Sequence, residues 1–200
     1  MKLVLATKNK NKIKEIRNKL SVINSLELLS LEDFTNAPDL IEDGMSFQEN
    51  AAKKAQAISA FTGLPALADD SGLCVDALDG RPGVFSARYA GENATDAERN
   101  IKLLDEMSGK AGRSAKFVCA ISCCLLSNIL ISVTGECHGL IAKHPSGIMG
   151  FGYDPIFFLP EYGRTMAEIP LEEKNKISHR AVALEKAAAL LAEIDWAQKP

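Results

Sequence analysis

Two long apolar, β-branched runs dominate the second half of the chain, AKFVCAISCCLL (115–126) and ILISVTGECHGLIA (129–142). Separated only around Ser127 and Asn128, they read as an antiparallel hairpin of largely buried strands. Strands this apolar need neighbouring strands and covering helices, which confines the chain to folds built around a sheet. The helices can be read off in turn. KLVLA (2–6) is a short buried strand, and from Asn9 a helical pattern places Ile13, Ile16 and Leu20 on one face. Ser46 and Glu49 form a capping box for a second helix, which runs through AAKKAQAISAF (51–61) and stops at Gly63. Thr95 and Glu98 repeat the device for a third helix, carrying Ile101, Leu104 and Met107. GIMGFGYDPIFFLP (147–160) is a glycine-punctuated loop entering another strand. A last helix, beginning near Ser178, turns Leu184, Ala187 and Leu191 towards the core. The expectation is a mixed α/β fold, its helices interleaved with one central, partly antiparallel sheet.

At 200 residues the chain suffices for one sizeable domain or two closely packed lobes. A net charge of −3 argues against broad, non-specific nucleic-acid binding. Cys74, Cys119, Cys123, Cys124 and Cys137 contain no CxxC pair and lie mostly in apolar runs, which suits reduced thiols. The start, MKLVLATKNK, lacks a signal-peptide core, and no apolar run approaches the ~20 residues of a membrane span. A cytoplasmic protein is expected, with no membrane and no nucleic-acid partner.

LPALADDSGL (64–73) sets Asp69 beside Asp70 where an apolar run meets a turn. Two like charges ~4 Å apart repel by about 4 kcal/mol at an effective dielectric near 20. Opposite strand faces relieve that repulsion, and a cation or a shared proton would offset it. Asp70-Ser71-Gly72 matches the D-[ST]-G of aspartic proteases, but that chemistry needs two such carboxylates and the chain has one copy. A magnesium site, with carboxylates beside phosphate oxygens and waters, fits better. In ATKNKNK (6–12) a strand gives way to a helix start bearing Thr7, Lys8, Asn9, Lys10, Asn11 and Lys12, where free amides and the helix dipole favour an anion. Of Lys53 and Lys54, one should pair with Glu49 at i,i+4 and face solvent, leaving the other to meet an anion. Glu42 and Asp43 supply a loop acid pair before that helix. Lysines and carboxylates together suit a polyphosphate. Phe151, Tyr153 and Asp154 lie between glycines that admit close backbone approach, and an aromatic there can stack on a base. Lys174, His179 and Arg180 surround the start of the last helix, where cations are disfavoured by roughly 0.3–1 kcal/mol each and a functional use would offset the cost.

These residues form a recognisable set: T-x-N-x-x-K (Thr7, Asn9, Lys12), ADDSGL (68–73), PGVFSARYAG (82–91), FGYDPIF (151–157) and K-x-x-x-SHR (Lys174, Ser178 to Arg180). In this order, over nearly the whole chain, the set resembles the inosine triphosphate pyrophosphatase family. The resemblance implies a homodimer of single two-lobed α/β domains spanning 1–200, each with an elongated mixed sheet flanked by helices and the substrate in the cleft between lobes. It implies hydrolysis of ITP, dITP or XTP to the monophosphate and pyrophosphate with Mg²⁺. Asp70 is then the proton acceptor, and Glu42, Asp69 and Asp70 hold the metal. Thr7, Asn9, Lys12 and Lys54 hold the triphosphate, Lys8, Lys10 and Asn11 are further substrate-binding residues, and Ser71 touches the substrate. Phe151, Gly152, Tyr153, Asp154, Lys174, His179 and Arg180 form the base pocket. A pyrophosphatase with a modified-base preference and a non-catalytic nucleotide-binding module are the rival readings.

Overall fold

The computed structural model describes residues 1–125 and 128–194. In chain order the elements are β1 (Lys2–Leu5), α1 (Lys10–Leu20), β2 (Glu27–Ser30), α2 (Phe47–Thr62), β3 (Ala66–Val75) and α3 (Asp96–Glu106). They continue with β4 (Ser114–Leu125), β5 (Asn128–Ile141), β6 (Phe157–Leu159), β7 (Arg164–Thr165), α4 (Leu171–Ile177) and α5 (His179–Glu193). The seven strands form one sheet in the order β2-β1-β3-β4-β5-β6-β7. β1 runs parallel to β2 and β3, whereas β6 is antiparallel to β5 and β7, so the sheet is mixed as expected. β4 and β5 are sheet neighbours, and Ser127 in the turn expected between them lies outside the described residues. No helix among the described residues is long and apolar enough to cross a membrane.

The chain divides into two compact units. The first comprises 1–70, 119–135 and the segment from Arg180, and the second comprises 71–118 and 136–179. In the first unit β1 and β3 are buried on both faces, as parallel strands between helix layers must be. Leu3, Leu5 and Leu67 pack with Ile16 and Leu20 of α1 and Leu184 and Leu191 of α5. Val4, Ala6, Ala66 and Ala68 pack instead with Ala55 and Ile58 of α2. This period-two alternation assigns Ala66, Leu67 and Ala68 of β3 alternately to the two helix layers. The second unit has its own core, including Leu73, Val75, Leu103, Met107, Phe117, Tyr153 and Phe157.

The capping signals are used as read, with one variation. Thr95 and Glu98 make the reciprocal box that opens α3. Ser46 Oγ accepts from Glu49 N, but the Glu49 carboxylate reaches past the cap to Met45 N at 2.9 Å. Gly63 closes α2 with φ +69°, a conformation that costs a glycine nothing. The last helical stretch is broken: Ser178 is extended, ending α4, and α5 starts at His179.

Candidate active site

The alternation along β3 resolves the paired aspartates. Asp69 follows Leu67 onto the α1/α5 side, and Asp70 follows Ala68 onto the α2 side. Each carboxylate then has its own cations, so the mutual repulsion is relieved by geometry.

Asp70 is 6% exposed, with Oδ1 3.3 Å from Lys54 Nζ and Oδ2 accepting from Asn50 Nδ2 at 3.0 Å. Lys54 Nζ also reaches Glu42 Oε1 at 2.5 Å. Burial pushes the Asp70 carboxyl above the ordinary carboxylate range; Lys54 opposes this and the charge of Glu42 adds to it. Burial would strip the proton from Lys54, but Asp70, Asp69 and Glu42 outweigh it and hold the ammonium charged. Lys53, one position earlier, points elsewhere: it pairs with Glu49 and Asp43 at the surface, both at 2.9 Å. Lys54 is thus the inward lysine, and Glu42 rather than Asp43 is the loop acid that shares a cation with Asp70.

Asp69 is fully buried, with Oδ2 3.1 Å from Lys12 Nζ and 3.1 Å from Arg180 Nε. Arg180, 2% exposed, also donates to Glu15 Oε2 at 2.6 Å. The cluster balances two cations against two carboxylates, the condition under which buried charge is tolerated. Burial alone would raise the Asp69 pKa, but Lys12, then Arg180 and Lys54, more than reverse it and hold the carboxyl far below its usual range. The thiol of Cys119, 3.9 Å from Asp69 Oδ2, is pushed up to about 12 by burial and by that negative charge. Because folding lowers the Asp69 pKa, the stability it contributes is complete above the unfolded value near 3.8 and is lost as pH falls towards the native one. The metal-free protein should therefore lose urea resistance as pH drops from about 5 to about 3. Asp69→Asn should flatten that slope; equal slopes in the two proteins would remove Asp69 from the balance.

In the first turn the protein itself takes up part of the helix start. Asn9 caps α1 itself, its Oδ1 accepting from Asn11 N and Lys12 N, and Thr7 Oγ1 accepts from Asn9 N. Two of the helix-start amides are therefore already satisfied, because asparagine is among the best N-caps. Lys8 pairs with Asp39 at the surface, and Lys10 and Asn11 are exposed. Lys12 is the one of this group joined to an aspartate of β3. Among the described residues no group of three or more His, Cys, Asp or Glu side chains converges as a metal cage.

In the second unit the loop residues and Lys174 do come together. Lys174 Nζ lies 2.6 Å from Asp154 Oδ2 and 4.7 Å from the centre of the Phe151 ring, and Asp154 also accepts from Phe151 N. Gly150 makes room for this: at φ +80°, a β-carbon there would sit 2.1 Å from Asp154 Oδ2. Gly152 is clamped through its backbone, N donating to Asp96 Oδ2 and O accepting from Asn100 Nδ2. Tyr153 is a core anchor, 4% exposed, with its hydroxyl donating to Ser86 O at 2.9 Å. His179 is buried and stacks on Phe117, ring centres 4.7 Å apart. Ser71 is half-buried on β3. Arg180 belongs to the first unit, where Asp69 and Glu15 take up its guanidinium. The ion pairs offset its unfavourable place at a helix start. Asn50, Glu15, Asp96, Asn100 and Ser86 were not marked by sequence. Glu15, three residues after Lys12, was the best placed to be found.

Fold and site together define a mixed α/β protein whose buried carboxylates and lysines suit a charged phosphate ester, with an aromatic–lysine–aspartate cluster in a glycine loop. The chain belongs to the Ham1 family, whose model matches residues 3–190. It is 52% identical over 199 residues to a Geobacter sulfurreducens protein named dITP/XTP pyrophosphatase, covering 98% of this chain and 97% of that one. A Geobacillus kaustophilus protein of the same name is 51% identical over 186 residues, covering 92% and 91%. Among solved structures, a HAM1 protein from Coxiella burnetii matches with a TM-score of 0.91 and 44% identity, covering 97% of this chain and all of that one.

Proposed function

We propose that this chain hydrolyses deaminated purine nucleoside triphosphates, dITP, XTP and ITP, to the monophosphate and pyrophosphate. The observation that carries the reading is Asp70: a buried carboxylate with a raised pKa, fixed between Lys54 and Asn50 and sharing its cation with Glu42. Such a group is a stronger base than an ordinary aspartate and is suited to taking a proton from the water that attacks the α-phosphorus. Lys54 and Lys12 place positive charge where a triphosphate carries negative charge. Pyrophosphate leaves with its charge partly met by these groups.

Glu42 and Asp70 are hard oxygen donors already drawn to one cation, Lys54, and this donor set fits a magnesium ion that keeps waters and phosphate oxygens. When bound, the ion would neutralise phosphate charge and favour the departure of pyrophosphate. Phe151 offers a ring face to the purine, and Lys174 and Asp154 offer a donor and an acceptor to its edge. Hypoxanthine and xanthine carry a carbonyl at the six-position where adenine carries an amino group. A buried donor left unpaired by adenine costs about 1–3 kcal/mol. The motif resemblance further supports a homodimer working in the cytoplasm, and cysteines that are all free thiols suit such a reducing compartment.

The test is a turnover panel of dITP, XTP, ITP, GTP and ATP with product identification, with and without a metal chelator. Expected are pyrophosphate and monophosphate from the deaminated purines, ATP slower by roughly 5- to 150-fold, and loss of turnover in chelator that magnesium restores. Release of orthophosphate, or equal rates on ATP and dITP, would overturn the reading.

A further inference from the structure

Asn50 is completely buried in the first turns of α2, and its side chain is used at both ends. Oδ1 accepts from Gly44 N at 2.7 Å, and Nδ2 donates to Asp70 Oδ2 at 3.0 Å. The orientation is forced: a backbone N–H can only donate and an ionised carboxylate can only accept. The planar amide therefore spans a set distance between Asp70 and the loop that carries Glu42. With Oδ1 on Lys54 and Oδ2 on Asn50, both oxygens of Asp70 are pinned and the carboxylate cannot rotate. Gly44 completes the fit, since a β-carbon there would lie 2.6 Å from Asn50 Oδ1 and 3.1 Å from Glu49.

We propose that Asn50 is a positioning residue that fixes Asp70 against the Glu42 loop, so that the two carboxylates keep the spacing hydrolysis requires. The proposal rests on the hydrolytic reading of Asp70. Asn50 acts through its neighbours and not on the substrate, so its loss should slow the chemical step and leave binding nearly intact. A misplacement of ~1 Å can cost on the order of 100-fold in rate.

Two variants approach the contact from opposite sides. Asn50→Leu keeps the size and removes both hydrogen bonds; Gly44→Ala keeps Asn50 and crowds its oxygen. The measurements are steady-state kinetics on dITP and, in the metal-free protein, hydrogen exchange of the Gly44 amide. Expected are a kcat lower by roughly 10- to 100-fold in both variants and KM within about threefold of wild type, with faster Gly44 exchange in Asn50→Leu. Wild-type kcat in both, a raised KM with kcat kept, or unchanged Gly44 exchange would overturn the proposal. Should Asn50→Leu fail to fold, the same kcat–KM split in Gly44→Ala decides. A wild-type protein inactive on dITP would instead sink the hydrolase reading, and the exchange measurement would then judge the Asn50 tie by itself.

Discussion

Asp70→Asn is expected to bind dITP with near wild-type affinity and to turn it over about 100- to 10,000-fold more slowly, the span associated with loss of a general base. The substitution is nearly isosteric and leaves the Lys54–Glu42 contact at 2.5 Å in place, so the lysine remains charged and available to phosphate. What disappears is a buried carboxylate whose environment raises its proton affinity. Stability should move the other way. A carboxyl whose pKa is raised by folding weakens the native state at neutral pH, so the neutral amide should hold or raise the Tm. Kinetics, nucleotide binding by calorimetry and a thermal melt on one preparation separate these effects. A variant that retains turnover removes Asp70 from proton transfer. One that loses binding in step with turnover makes it a ligand-holding residue only.

Arg180→Met should be the most destabilising single substitution in the first unit. Arg180 joins Asp69 to Glu15 at 2% exposure, and its removal leaves two carboxylates buried with only Lys12 between them. Breaking a buried pair from one side typically costs about 3–5 kcal/mol. For a chain of this size that corresponds to a fall in Tm of roughly 6–20 °C. The ratio of kcat/KM for ITP over ATP should stay unchanged in whatever fraction remains folded, because the guanidinium is spent on protein carboxylates. A normal Tm with a narrowed ITP–ATP gap would return Arg180 to the base pocket.

That second case marks the boundary of what local sequence conveys. The interleaving of strands and helices, the mixed sheet, the two capping sites and one surface-paired lysine of the Lys53–Lys54 pair all follow from periods of two and 3.6, which neighbouring residues express on their own. The opposite facing of Asp69 and Asp70 was also available from strand period alone. Arg180 was another matter: its partners lie 111 and 165 positions away, and no local pattern encodes such a meeting. Its adjacency to His179 suggested a shared pocket, yet one side chain entered an ion cluster while the other stacked on Phe117. Asn9 shows a different limit. An asparagine at a helix start serves equally as ligand donor and as cap, and only coordinates reveal that its oxygen is already occupied. Asn50 gave no signal, since an asparagine following Gln48 and Glu49 looks like one more polar position of an exposed helix start.

The first unit is assembled from three stretches of chain, the last beginning at Arg180, whereas the second is complete by residue 179. On a ribosome, which releases the chain from its amino end, the second unit has all its parts before the first does. The Lys12–Asp69–Arg180–Glu15 cluster has to wait for Arg180 to emerge. Until then Asp69 and Glu15 lack the guanidinium they share in the folded protein, and only Lys12 pairs with Asp69.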